Sequence, residues 1–241
     1  MAAINDNLQA VAARIRDAAR AAGRDPSMVR LLAVTKTQPP SAVEAAYAAG
    51  QRSFGENYVQ EALDKQAVLA AKGGEQSIAQ SIEWHLIGPL QSNKTRAVAQ
   101  AFDWVQTIDR EKVARRLSDA RADGASPLNV LIQVNVSGES TKSGVPPAEA
   151  AALAHAVAGL PRLRLRGLMA IPEPTEDRNL QLERFRTVRE LFDRLNAEGL
   201  ALDTLSLGMS QDLESAVAEG STMVRIGTAI FGERPKAKEA A

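Results

Sequence analysis

A lysine closes the apolar run Leu31-Leu-Ala-Val-Thr-Lys36. The chain has 21 arginines and 8 lysines, so arginine is its ordinary surface cation and this lysine stands out. An amine there becomes nucleophilic when burial or a neighbouring cation lowers its pKa, and it then condenses with aldehydes and ketones. A solvated loop lysine is the plain alternative. Two glycine-containing segments near the other end of the chain suit an anion: Ser206-Leu-Gly-Met-Ser210 and Arg225-Ile-Gly-Thr-Ala-Ile-Phe-Gly232. Gly227 would let backbone N–H groups come close to phosphate oxygens, with Ser210 and Thr228 adding hydroxyl donors. Ser210 equally suits a cap on a helix starting near Asp212, and Gly227 a tight turn. A phosphate site with a reactive lysine points to a phosphorylated aldehyde, or to a sugar-phosphate ketone of the kind aldolases cleave.

Other positions carry weaker signals. His85 alternates with Trp84 and Leu86 and could face the same site, but a hydrogen-bonded structural histidine is the stronger reading. Asn57, in Phe54-Gly-Glu-Asn57, is placed to approach a ligand or simply to begin a helix with Glu56. Arg162, Arg164 and Arg166 alternate with leucines and carry no functional reading. There is no cysteine, which excludes disulfides and thiolate chemistry, and the only histidines, His85 and His155, lack ligand spacing. No metal site is expected.

Positioning these residues requires an alternation of strands and helices. Apolar runs rich in β-branched residues predict strands at Val29–Thr35, Gln51–Phe54, Ile82–Ile87, Trp104–Thr107, Asn129–Val136, Leu163–Leu168, Thr204–Ser206 and Met223–Arg225. Amphipathic stretches predict helices between them, among them Pro39–Ala49, Glu56–Ala70 and Asp177–Ala197. Such alternation makes right-handed βαβ units and a parallel sheet. Neither the dinucleotide-binding G-x-G-x-x-G nor a Walker A loop is present. Polar candidates fall just after nearly every predicted strand, whereas an open sheet gathers its site at one switch point. The expected fold is therefore a single-domain (β/α)8 TIM barrel. Barrels commonly bind phosphate with the loops after strands seven and eight, where Ser210, Gly227 and Thr228 lie. The first 23 residues, with Ile4, Leu8, Val11 and Ile15 at helical spacing, predict an extra N-terminal helix covering one end. No composition break divides residues 1–234, and residues 235–241 are expected to be a disordered tail.

The net charge is zero at 241 residues, which removes the electrostatic case for nucleic acid or an anionic membrane as partner. No apolar run approaches the roughly 20 residues a bilayer span needs. A cytoplasmic protein is the expectation.

The motifs together resemble a known family, the pyridoxal phosphate homeostasis proteins (YggS/PROSC family), relatives of the alanine racemase N-terminal barrel. The matching stretches are Ala33-Val-Thr-Lys36, Gly50-Gln-Arg-Ser-Phe-Gly-Glu-Asn-Tyr-Val-Gln-Glu61 and Trp84-His-Leu-Ile-Gly-Pro-Leu-Gln-Ser-Asn-Lys94. Gln133-Val-Asn-Val-Ser-Gly-Glu139, Lys142-Ser-Gly144, Gly167-Leu-Met-Ala-Ile-Pro172, Leu207-Gly-Met-Ser210 and Val224-Arg-Ile-Gly-Thr-Ala-Ile-Phe-Gly232 follow in order.

The resemblance implies pyridoxal 5′-phosphate as cofactor, held as a Schiff base on Lys36. It implies Ser210, Gly227 and Thr228 at the phosphate, Arg225 facing the pyridine nitrogen and Asn57 nearby. Lys142 falls where the family has a second lysine, and Met209 and His85 are secondary positions. The function implied is vitamin B6 homeostasis, with pyridoxal-phosphate-dependent apo-enzymes or B6 salvage enzymes as possible partners. The second, mostly β domain of alanine racemase has no counterpart, nor does its opposite-face tyrosine; Tyr47 and Tyr58 are the only tyrosines. A monomer with weak racemase activity, if any, is the corresponding expectation. A racemase-like enzyme and a Schiff-base aldolase remain the alternatives.

Overall fold

The computed structural model describes residues 2–73, 77–138 and 143–232; Lys142, residues 233–234 and the tail at 235–241 lie outside them. Eight strands form: β1 (Arg30–Val34), β2 (Ser53–Glu56), β3 (Glu83–Leu86), β4 (Trp104–Ile108), β5 (Leu128–Val134), β6 (Leu163–Ala170), β7 (Thr204–Ser206) and β8 (Met223–Ile226). Each pairs in parallel with its neighbours, and β1 pairs with β8, closing the barrel that the sequence predicts.

The helices are α1 (Ala2–Ala21), α2 (Pro40–Ala48), α3 (Val59–Gly73), α4 (Thr95–Ala101), α5 (Glu111–Ala120), α6 (Pro147–Ala158), α7 (Arg178–Ala197), α8 (Leu213–Ala218) and α9 (Thr228–Phe231). One follows each strand, and α1 precedes them all. The helix after β8 is only four residues long, too short to cover its part of the barrel. The amphipathic stripe Leu8, Val11, Ile15 and Ala18 of α1 is buried instead, against α8, α9 and α2. The N-terminal helix is thus a member of the outer ring rather than a cover over one end.

The strand β2 departs from its predicted span, beginning at Ser53 and running through Glu56. Gln51 is outside the strand because its side-chain amide caps the neighbouring chain, donating to the Leu31 and Ser53 carbonyls at 3.0 and 2.7 Å. Glu56 ends the strand instead of starting α3, because its carboxylate is buried against Thr35 and Lys65.

A large apolar cluster fills the layer between strands and helices. Two smaller ones, Leu32, Ile87 and Met223, and Trp104, Leu131 and Met169, are separate from it. The barrel interior holds these two clusters, consistent with the side-chain layers of such barrels. Gly167 marks a register shift between β5 and β6. Its φ is +153° and a Cβ there would lie 1.8 Å from the Thr204 carbonyl oxygen. Gly167→Ala should therefore cost about 3 kcal/mol or more, measured by urea denaturation; a loss near zero would mean the β6–β7 contact is not so close in solution.

Candidate functional site

The C-terminal ends of the strands converge on one cavity of about 430 Å³. Lys36 enters two residues after β1 ends, Asn57 directly follows β2, and Arg225 lies within β8. Met209 and Ser210 come from the loop after β7, Gly227 and Thr228 from the start of α9. Val34, Ile87 and Ile171 supply apolar walls, and Asp212 is the only carboxylate lining it among the described residues. All six principal residues expected from the sequence, with Met209, share this space. Tyr47 and Tyr58 do not line it.

Hydrogen bonds from α1 and from the loop itself shape the side of the cavity formed after β7 and β8. Arg14 of α1 donates to the Ser210 carbonyl at 2.7 Å and pairs with Glu214 of α8 at 2.6 Å. Asp212 Oδ1 accepts the Met209 N–H at 2.6 Å. Ser210 does not cap α8: the capping position is Asp212, with no side-chain cap bond. Gly227 precedes α9, and a Cβ on it would crowd Val34 at 3.2–3.4 Å. Gly227 and Thr228, at the start of α9 where the first N–H groups have no partner within the helix, line the cavity together with Ser210. After β2, Asn57 Oδ1 is buried with no hydrogen-bond partner. Gly88 permits that placement, since a Cβ on it would sit 2.1 Å from the Asn57 carbonyl oxygen.

Arg225 is buried, and burial pushes its guanidinium down to about 10, partly offset by Asp212. It remains a cation at neutral pH. It donates to the carbonyl of Ser206, to Ser206 Oγ at 2.7 Å and to the Ala170 carbonyl at 2.7 Å. Ser206 Oγ in turn donates to Gln106 Oε1 at 2.6 Å, and Gln106 Nε2 lies 2.9 Å from His85 Nδ1. His85 Nε2 then meets Glu83 Oε1 at 2.8 Å, and Arg30 closes the chain on Glu83 at 2.5 Å. These links join β8, β7, β4, β3 and β1, which only the barrel interior can do.

The amide donor of Gln106 requires Nδ1 of His85 to accept, so the proton sits on Nε2 and the ring is neutral. Burial, which lowers the imidazole pKa, acts the same way. Burial opposes the charge on Glu83, but His85 and Arg30 outweigh it and hold the carboxyl well below its usual range. His85 also stacks on Trp104 with ring centroids 5.1 Å apart. It is a structural histidine beneath the cavity and does not line it. Lys142 is outside the described residues. Sequence reasoning missed Gln106, whose only signal was a neutral polar residue between apolar ones in a predicted strand.

The barrel is shared with proteins already known. The family model "Alanine racemase, N-terminal domain" matches residues 7–235. The chain belongs to that family, and within it to the pyridoxal phosphate homeostasis proteins. It is 59% identical to the pyridoxal phosphate homeostasis protein of Pseudomonas aeruginosa, over 97% of each chain. It is 54% identical to the Escherichia coli K12 protein of that name, over 98% of this chain and 99% of the other. PipY of Synechococcus elongatus with pyridoxal phosphate bound superposes with a TM-score of 0.80 at 34% identity, over 95% of this chain and all of PipY. Alanine racemase from Corynebacterium glutamicum shares the fold at 20% identity and TM-score 0.68; this chain covers 63% of it.

The buried neutral His85 makes stability depend on pH. Below about pH 6.5 the unfolded chain takes up a proton that folded His85 resists, so stability falls as pH drops. Urea melts from pH 7.5 to 5 should show a His85 contribution of up to about 1.4 kcal/mol per pH unit, as the difference between wild type and His85→Gln. Parallel curves for the two proteins would contradict a neutral buried His85.

Proposed function

We propose that this protein binds pyridoxal 5′-phosphate in the cavity, as a Schiff base with Lys36, and keeps it available to other proteins. One observation carries the reading: Lys36, Asn57, Ser210, Arg225, Gly227 and Thr228, drawn from four separate parts of the chain, line one cavity. Binding of pyridoxal phosphate by PipY, a relative over its whole length, supports it.

The residues present fit the group. The cavity volume is in the range usual for small-molecule sites. Gly227, Thr228 and Ser210 offer backbone and hydroxyl donors for a phosphate. Asn57 Oδ1, buried without a partner, is an acceptor that a bound ligand can satisfy. When bound, the cofactor supplies an aldehyde with which a primary amine condenses. Lys36 contributes that amine, with Val34, Ile87 and Ile171 as apolar walls beside it.

Arg225 favours holding over turnover. Its guanidinium stays charged and directs donors at Ser206 and Ala170, so a pyridine nitrogen beside it is disfavoured from gaining a proton. An unprotonated ring is a weak electron sink, which suits racemisation poorly unless strong bases flank the substrate. Two-base racemisation also needs a proton donor and acceptor on opposite faces, and neither tyrosine lines the cavity. The reading extends to a monomer in the cytoplasm that passes the cofactor to apo-enzymes or salvage enzymes. No helix among the described residues is long and apolar enough to cross a membrane.

The test is a visible spectrum after incubation with pyridoxal phosphate, then borohydride reduction and peptide mapping. Wild type should colour and carry a phosphopyridoxyl adduct on Lys36. Lys36→Ala should lose that adduct and bind the cofactor at least about tenfold more weakly. A colourless wild type with excess cofactor would sink the reading and move the sugar-phosphate aldolase to the front. Amino-acid racemisation abolished by Lys36→Ala would make it an enzyme.

A further inference from the structure

The strand β1 ends in a turn that its own sequence does not favour. The Gln38 N–H donates to the Thr35 carbonyl at 3.0 Å, closing four residues with Lys36 and Thr37 at the centre. Thr37 has φ +63°, the only non-glycine residue with positive φ among the described residues. Turns that need positive φ at the third position take glycine or asparagine there, and a β-branched residue crowds its own backbone. Left alone, Thr37 would leave this region, and the peptide units flanking Lys36 would rotate with it.

A cluster on α3 opposes that relaxation. The Thr37 N–H donates to Glu61 Oε1 at 2.5 Å. The same oxygen accepts Lys65 Nζ at 2.7 Å. Lys65 also donates to the Thr35 carbonyl at 2.5 Å and to Glu56 Oε1 at 2.7 Å, and Thr35 Oγ1 donates to that Glu56 oxygen at 2.6 Å. One ammonium therefore ties the carbonyl that enters the turn to the carboxylate that takes the N–H inside it. All three of its hydrogens have a partner. The Lys65 side chain is 5% exposed and that of Glu56 is fully buried, so water competes little for these charge-assisted bonds. None of Glu56, Glu61 and Lys65 lines the cavity that Lys36 enters.

We infer that Glu61 and Lys65 are positioning residues for Lys36: by holding Thr37 left-handed, they fix the direction in which the Lys36 amine enters the cavity. The inference rests on the Schiff-base role of Lys36. A glycine at position 37 would reach the same φ without help but would sample the alternatives too. Threonine with a clamp leaves one conformation.

Rescue distinguishes this role from general packing. Glu61→Ala should slow formation of the imine with added pyridoxal phosphate by about tenfold, the population shift expected when a left-handed threonine loses its support. Adding Thr37→Gly to Glu61→Ala should recover at least about a third of the wild-type rate, since glycine removes the penalty. A Glu61→Ala rate within twofold of wild type, or a double variant as slow as Glu61→Ala, overturns the inference. Should Glu61→Ala not fold, Glu61→Gln replaces it, with a smaller slowing that Thr37→Gly must still reduce.

Amide hydrogen exchange at Thr37, followed by NMR without cofactor, separates the clamp from the function of Lys36. Protection in wild type that is lost in the Glu61 variant supports the clamp. Equal exchange in both overturns it. A wild type that forms no imine counts against the Lys36 reading alone, and the exchange result then decides the clamp.

Discussion

The structure is organised around the charge of Arg225, which has been taken out of water and must be solvated by protein. Leaving such a cation without partners costs several kcal/mol. Among the described residues no carboxylate touches it directly; the Ala170 and Ser206 carbonyls and the Ser206 hydroxyl do that work. From Ser206 the hydrogen bonds continue through Gln106 and His85 to Glu83, each group donating to the next. Because the links from Arg225 to His85 pass through β8, β7, β4 and β3, the guanidinium cannot keep its partners unless those strands keep their relative heights. The apolar clusters on either side fill space but tolerate small slips; the polar chain does not. It is the element of the interior that specifies one arrangement.

The two lysines near the end of β1 show how the barrel separates chemistry from support. Lys36 reaches the cavity, while Lys65 lies behind the turn with every donor occupied. Burial raises the pKa of Glu56, with Lys65 and Thr35 pulling the other way. One Glu56 oxygen is left without a partner, so this cluster is not fully satisfied. The tight turn beside Lys36 is held by charges that do not line the cavity.

How much was legible in the sequence follows from what each element depends on. Strands β1, β3, β4 and β8 could be read directly because each falls in a short, mostly apolar run bounded by polar, glycine or proline residues. In β2 the pattern failed: Gly55 and the buried Glu56 look like loop and helix start until Lys65 is known to lie nine residues on. The stripe on α1 declared that it would be buried, but not against what; its place in the ring follows from the shortness of α9. Lys36, Asn57, Ser210, Arg225, Gly227 and Thr228 share one cavity because the barrel brings the strand ends to one face, whereas His85 lies outside its lining. Gln106 gave little signal, since a neutral amide has no spacing rule, and its role appears only once β4 faces Ser206 of β7 across the barrel. The clamp on Thr37 was hidden for a related reason: nothing in a threonine's identity announces a left-handed backbone.

The seat of α1 in the ring also bears on the order of assembly. Asn7 of α1 donates to the Ile230 carbonyl across 223 positions of sequence, and Arg14 reaches the Ser210 loop across 196. A helix synthesised early thus has its partners made last. Until α8 and α9 emerge from the ribosome, α1 lacks the two helices it contacts most, and contacts of such long range form slowly. The nascent chain carries a sticky amphipathic helix through most of its synthesis, and the ligand cavity is completed in the same late step that finally covers it.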